Sequence, residues 1–156
     1  MKLKICNEAN ELNYYFGGLF DGIGKIYIHR ELRRDRKQTG LTFVMNLYCG
    51  FDNKNLAKLF QQNFGGLIHD YSRSINPKTK NRYKKPFVWR SQRGNAMDFL
   101  CAIQPYILGK KMSKKVEVAI KFEKFKERNL GKHNKTHPSI AKKRKDFYQK
   151  MRKLNR

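Results

Sequence analysis

Two histidines, His133 and His137, stand four residues apart. That spacing puts two imidazoles on one helix face and, with an acid or thiolate added, can hold zinc. The stretch around them, Asn129 to Pro138, offers neither partner and reads as a polar linker, so no metal site is expected there. The three cysteines, Cys6, Cys49 and Cys101, are odd in number and far apart. They fit no disulfide framework and no zinc spacing, which points to a reducing intracellular compartment. Gly17, Gly18, Gly22 and Gly24 follow a helical pattern rather than a strand, so they do not make a phosphate-binding loop. What remains for chemistry is one aspartate at a helix end, Asp21, and a large excess of cations.

The 156 residues carry 36 Lys and Arg against 12 Asp and Glu, a formal net charge of +24. A merely solubilising surface mixes both signs. A field this one-sided attracts a polyanion, and nucleic acid is the usual one. The length suits one domain with a proper core. No run approaches ~18 apolar residues and no secretory segment opens the chain, so no membrane partner is expected. Lys is twice as frequent as Arg, and Asn, Ile, Phe and Tyr are plentiful. AT-rich codons would produce that bias, so a mitochondrial or other organelle matrix is the expected location.

Periodicity places these residues on elements. Leu12, Tyr15, Phe16, Leu19, Phe20 and Ile23 form the apolar stripe of a first helix, with Asn7 or Asn10 as its cap. Gly17 and Gly18 inside it imply close helix packing. A strand from about Lys25 to Arg34, a charged turn over Arg33 to Gly40 and a strand from Leu41 to Gly50 make a hairpin with a basic tip. Asp52 or Asn53 caps a second helix, which Gly65 and Gly66 end. Strands Leu67 to Ser72 and Phe87 to Gln92 flank a second basic connection. Asn95 opens a third helix that Pro105 ends, and Lys110 to Lys126 forms a fourth. After the linker, Ser139 to Arg156 is a basic helix anchored only by Ile140, Phe147, Met151 and Leu154, a line too narrow for firm docking. The divisions are therefore residues 1–128 as the domain, 129–138 as the linker and 139–156 as the basic helix. The class is α+β, with helices on one face of a four-stranded antiparallel sheet.

Alternation assigns the opposite face to nucleic acid. Ile26 and Ile28 point to the helices, so Tyr27, His29, Glu31 and Arg33 point outward. His69, Tyr71 and Arg73 share a face of the third strand. Phe87 and Trp89 share one face of the fourth strand, opposite Val88 and Arg90. Core packing is favoured for Phe87. For Trp89, core packing and an exposed platform for unpaired bases are both open. The first tip adds Arg34, Arg36 and Lys37, and the second adds Lys78, Lys80, Arg82, Lys84 and Lys85. Lys110 and Lys111 start the fourth helix, and Lys142, Lys143, Arg144, Lys145 and Arg152 line the last one.

Phe16 to Gly24, FGGLFDGIG, resembles the LAGLIDADG motif of homing endonucleases and intron maturases. Gly18, Leu19, Asp21 and Gly24 are identical to the motif. Asn63-Phe64-Gly65-Gly66 and Ile103 to Lys111 are similar to later landmarks of the family, and the resemblance covers roughly Leu12 to Phe125. It implies an αββαββα saddle on nucleic acid, with a catalytic metal held by an acid at the motif's eighth place. That place is Ile23 here, and a hydrocarbon side chain cannot ligate a hard cation. Asp21 lies about 200° away around the helix and is expected to hydrogen-bond locally. The family's polar group at the end of the second strand falls at Leu47 or Tyr48, with Asn46 the nearest amide. Its catalytic basic residue matches Lys110, which also suits plain phosphate contact.

Three functions follow. The first is a non-cutting protein on structured RNA, either a ribosome component among ribosomal proteins or an intron-splicing cofactor, with no cofactor and RNA favoured over DNA. The second is a Mg²⁺-dependent homing endonuclease, homodimeric through its first helix, cutting a long DNA site. The third is a non-cutting DNA-binding repressor.

Overall fold

In the computed structural model, the described residues are 2–35, 38–129 and 137–156, with side chains described over 11–31, 42–129 and 137–156. The chain runs α1 (Lys2–Ile23), β1 (Gly24–Asp35), β2 (Gln38–Phe51), α2 (Lys54–Phe64), β3 (Leu67–Asp70) and β4 (Phe87–Gln92). It continues with α3 (Arg93–Ile103), a 3₁₀ turn (Gln104–Tyr106), α4 (Lys110–Arg128) and α5 (Pro138–Leu154). Order and type match the expectation; several ends do not. Asn7 and Asn10 lie inside α1, whose helix begins upstream of its apolar stripe. The first hairpin keeps strand pairing to Asp35↔Gln38, so most of the expected basic turn is ladder. Asn95 lies inside α3, because β4 passes straight into the helix at Arg93. Asn53 does cap α2, its side chain accepting from the Asn55 amide at 2.8 Å.

The sheet is antiparallel in the order β1-β2-β4-β3. β2 pairs with β1 from Gln38 to Cys49 but with β4 only from Asn46 to Phe51, so half of the first hairpin extends beyond β4. One sheet face is apolar. Ile26, Ile28, Phe43, Met45, Leu47, Cys49, Phe51 and Trp89 are buried there against Phe16, Phe20, Phe60, Phe99 and Phe122 of the helices. Aromatic rings supply much of this core, and Phe60, Phe99 and Trp89 meet one another at 5.0–5.8 Å between centroids. Gly17 fits tightly against the 3₁₀ turn, where a Cβ would stand 2.8 Å from the Tyr106 Cβ. Gly18 meets nothing in its own chain and is exposed.

The last helix departs from expectation. Met151 is buried, Phe147 packs on Phe122 and Phe125, and Tyr148 on Phe43. The Asn155 amide donates to the Ile26 carbonyl at 2.9 Å. The apolar line is narrow, but two rings and an amide widen its grip, and α5 docks on α4 and on the back of the first hairpin. No helix among the described residues is long and apolar enough to cross a membrane.

Candidate nucleic-acid interface

The face of the sheet away from the helices is built from the residues that alternate with the core. On β1 these are Lys25, Tyr27 and His29; on β2, Val44, Asn46, Tyr48 and Gly50; on β4, Val88, Arg90 and Gln92. His69 lies opposite Val88 on β3 and stacks on Tyr71, 6.2 Å between centroids with planes 17° apart. Tyr71 in turn lies 5.1 Å from Tyr83. A row of aromatic rings thus borders the open face.

Its centre is polar. Asn46 Oδ1 accepts from Arg90 Nε at 3.2 Å and Nη2 at 3.0 Å, and the Gln92 amide closes on the same oxygen. Arg90 also lies over the Tyr48 ring, 5.7 Å from its centroid. Tyr27, His29 and Tyr48 meet mutually at 5.5–6.2 Å. Burial and the Arg90 charge hold the His29 imidazole below its ordinary pKa, against a smaller opposing pull from Glu31. Burial pushes the Tyr48 hydroxyl up, so it remains a hydrogen-bond donor. His29 Nε2 and Asn46 Nδ2 are buried without a hydrogen-bond partner.

At the foot of α1 a cavity of about 820 Å³ opens onto this face, lined among others by Ile23, Lys25, Tyr27, Tyr48, Tyr83, Lys84 and Lys85. Ile23 therefore occupies the point where a side chain from α1 reaches the open face. Asp21 points elsewhere. Its Oδ2 accepts from the amides of Leu108 at 3.0 Å and Gly109 at 2.7 Å, 87 and 88 residues on. The expectation of a local bond is corrected: the partner is the entrance to α4, whose positive dipole end a carboxylate suits. Gly109 is needed for that approach, since a Cβ there would stand 2.5 Å from Asp21 Oδ1. No three His, Cys, Asp or Glu side chains gather as a metal site among the described residues. Among the described residues at the foot of α1, a hydrocarbon stands at position 23 and the neighbouring acid is engaged, so that spot offers a divalent ion no free carboxylate.

Trp89 is corrected outright. It is fully buried and its Nε1 donates to the Gly65 carbonyl at 2.8 Å, so it is no stacking platform. β4 directs Trp89 and Ser91 to the helices and Arg90 outward. Arg73, Lys78, Lys80, Arg82, Lys84 and Lys85 are exposed on the β3–β4 connection, where Ile75 and Arg82 form an isolated bridge. Arg33 and Arg34 lie on β1 with side chains outside the described residues, as Arg36 and Lys37 and also His133 do altogether. Lys110 and Lys111 are exposed on the first turn of α4. Lys115, one turn on, has its pKa lowered by burial and then by the charges of Lys111 and Lys25. Lys142, Lys143, Lys145 and Arg152 are exposed on α5, away from the open face.

Sequence reading did not single out Lys25, Tyr83, Gln92 or Lys115, named Tyr48 only as a match to the family's polar group, and placed Arg90 opposite Trp89 without assigning it to the interface. Alternation from Trp89 inward would have found Arg90 and Gln92, and the i, i+4 step from Lys111 would have found Lys115. Tyr83 carries no local signal, because its loop places it.

No protein-family model matches the chain, and no curated protein matches it. Solved structures do. The homing endonuclease I-CvuI in complex with its target aligns with a TM-score of 0.66 at 12% identity, covering 94% of this chain and 83% of that one. The archaeal intron-encoded homing endonuclease I-Vdi141I complexed with DNA gives 0.67 at 14%, covering 91% and 82%. The LAGLIDADG homing endonuclease I-GzeII in complex with DNA gives 0.61 at 13%, covering 87% of this chain and 43% of that one.

Proposed function

We propose that this chain, which has the fold of the LAGLIDADG homing endonucleases, holds nucleic acid on the open face of its sheet and does not cut it. The observation that carries the reading is the foot of α1, where Ile23 borders the cavity on the open face while Asp21 is spent on the entrance to α4. Hydrolysis needs a carboxylate-held ion to activate water and to stabilise the leaving oxygen. Binding needs only cations and rings, and both are abundant.

Structured RNA is the favoured target. Tyr27, Tyr48, Tyr71 and Tyr83 offer rings near the exposed cations Lys84 and Lys85, a combination suited to splayed bases of loops and bulges. A ribosome component or an intron-splicing cofactor in an organelle matrix fits this chemistry. The test is a nicking assay of the purified protein on a library of duplex sites with Mg²⁺ and Mn²⁺. No cleavage is expected. Reproducible cuts lost in Asp21→Asn would overturn the reading.

A second reading is supported by α1 itself. Leu12 and Tyr15 are 42% and 43% exposed, and Gly18 on the same side stands in open space. Two copies packed through this stripe would align two open faces on one long duplex, as a dimeric DNA-binding protein requires, whether endonuclease or repressor. Sedimentation with and without duplex distinguishes the readings, since the RNA reading expects a monomer.

A further inference from the structure

A second cavity, of about 430 Å³, lies on the other side of the molecule, between the stretch of α5 from Ala141 to Tyr148 and the overhanging half of the first hairpin. Its floor is aromatic. Phe43 is buried, and the half-buried Tyr148 ring stands 5.5 Å from it with planes 43° apart. Its rim is cationic, formed by Arg30, Lys142, Arg144 and Lys145, and no carboxylate lines it among the described residues. Arg30 sits in the β1 row of Ile26 and Ile28, both of which are core. Continuing an apolar row with an exposed arginine brings a charge to the helix side of the sheet, where α5 has already gathered more. Arg30, Lys142 and Lys145, exposed together there, favour an anion.

We propose that this cavity is a second nucleic-acid site, taking one unstacked nucleotide with its base along the Tyr148 ring and its phosphates among Arg30, Lys142 and Lys145. The proposal rests on the reading of the chain as a nucleic-acid-binding protein. It adds that the protein joins two strands, one on each side of the sheet. The size suits a single nucleotide, since small-ligand pockets run from ~300 to ~1,000 Å³. A duplex could touch the rim but not the floor. An acidic peptide would meet the charges and leave the ring unused, whereas a base has a π-face for it.

The test is titration of the full-length protein with a single-stranded oligoribonucleotide of about ten residues, a length matching one single-strand site. Two equivalents are expected to bind. Lys142→Glu with Lys145→Glu should remove one, and Lys84→Glu with Lys85→Glu the other. Charge reversal alone could report diffuse attraction, so the ring is tested separately. Tyr148→Leu keeps the floor apolar and should weaken the second site about fivefold or more for a base-bearing strand, as loss of one stacked base predicts. It should leave an abasic strand of equal length unaffected, and Tyr148→Phe should bind like the parent. Circular dichroism checks that each variant is folded. A single equivalent, removed by the Lys84 and Lys85 pair alone, overturns this proposal and leaves the open-face reading standing. No binding of the single strand by the parent overturns this proposal, and failure to bind a structured RNA hairpin as well overturns the open-face reading. Equal loss for base-bearing and abasic strands, or displacement of the oligonucleotide by polyglutamate at equal charge, also overturns it.

Discussion

His29 is the residue whose charge the fold controls most directly on the open face. Its folded pKa lies below the ordinary 6.5 because burial and Arg90 disfavour the imidazolium. Between the two values the unfolded chain binds more protons, so the contribution of His29 to stability is present above the ordinary value and lost as pH falls through the folded one. Denaturant midpoints should therefore drop on mild acidification, and His29→Gln should reduce that drop. A phosphate beside the ring would reverse the shift. NMR titration should show the His29 pKa rising when nucleic acid binds, and an unchanged value would place the ligand elsewhere. Cys49 makes a contrasting case. Burial pushes its thiol up to about 12, while Cys101 is exposed. An alkylating reagent on the native protein should label Cys101 and spare Cys49, read by mass spectrometry; equal rates would contradict the buried placement.

At the scale of elements, two joints carry the argument. Asp21 ties the end of α1 to the start of α4 through two amides. Asp21→Ala should cost about 1–2 kcal/mol in urea unfolding, the range for losing a helix-terminal carboxylate. A change below a few tenths would mean that water replaces it. The second joint is α5. Met151→Ala empties a buried site and should cost about 2–3 kcal/mol. A chain ending at Arg128 would bare Phe122, Phe125 and Phe43 together, and it should unfold at lower denaturant than the full chain. If both truncation and Met151→Ala leave the midpoint unchanged, the docking of α5 is wrong.

For the whole molecule, the net charge is +24, and among the described residues exposed Lys and Arg stand on both sides of the sheet. If binding neutralises ~8 phosphates, the log–log dependence of affinity on salt should have a slope of about −6 to −7. A slope near −2 would mean that most of the charge stands off the interface. The distribution also bears on assembly. Self-repulsion opposes pairing of free copies, so any dimer through α1 should be favoured by nucleic acid and by salt.

Local pattern alone determined a good deal of this protein. The order of helices and strands, the cap at Asn53, the outward set of Tyr27 and His29 and the hydrocarbon at position 23 were all legible. Each depends on periodicity, spacing or charge that a short stretch carries within itself. The tertiary structure decided the rest. Trp89 turned inward because a large aromatic core was waiting across the sheet and the Gly65 carbonyl could take its N–H. Asp21 found its partners 87 and 88 residues away, at the entrance to α4. The Arg90, Asn46 and Gln92 cluster exists only because β4 inserts beside β2. α5 docks because Phe122, Phe125 and Phe43 meet on one surface. Those contacts join residues far apart in the chain, and their register is set by packing, which no local window of sequence contains.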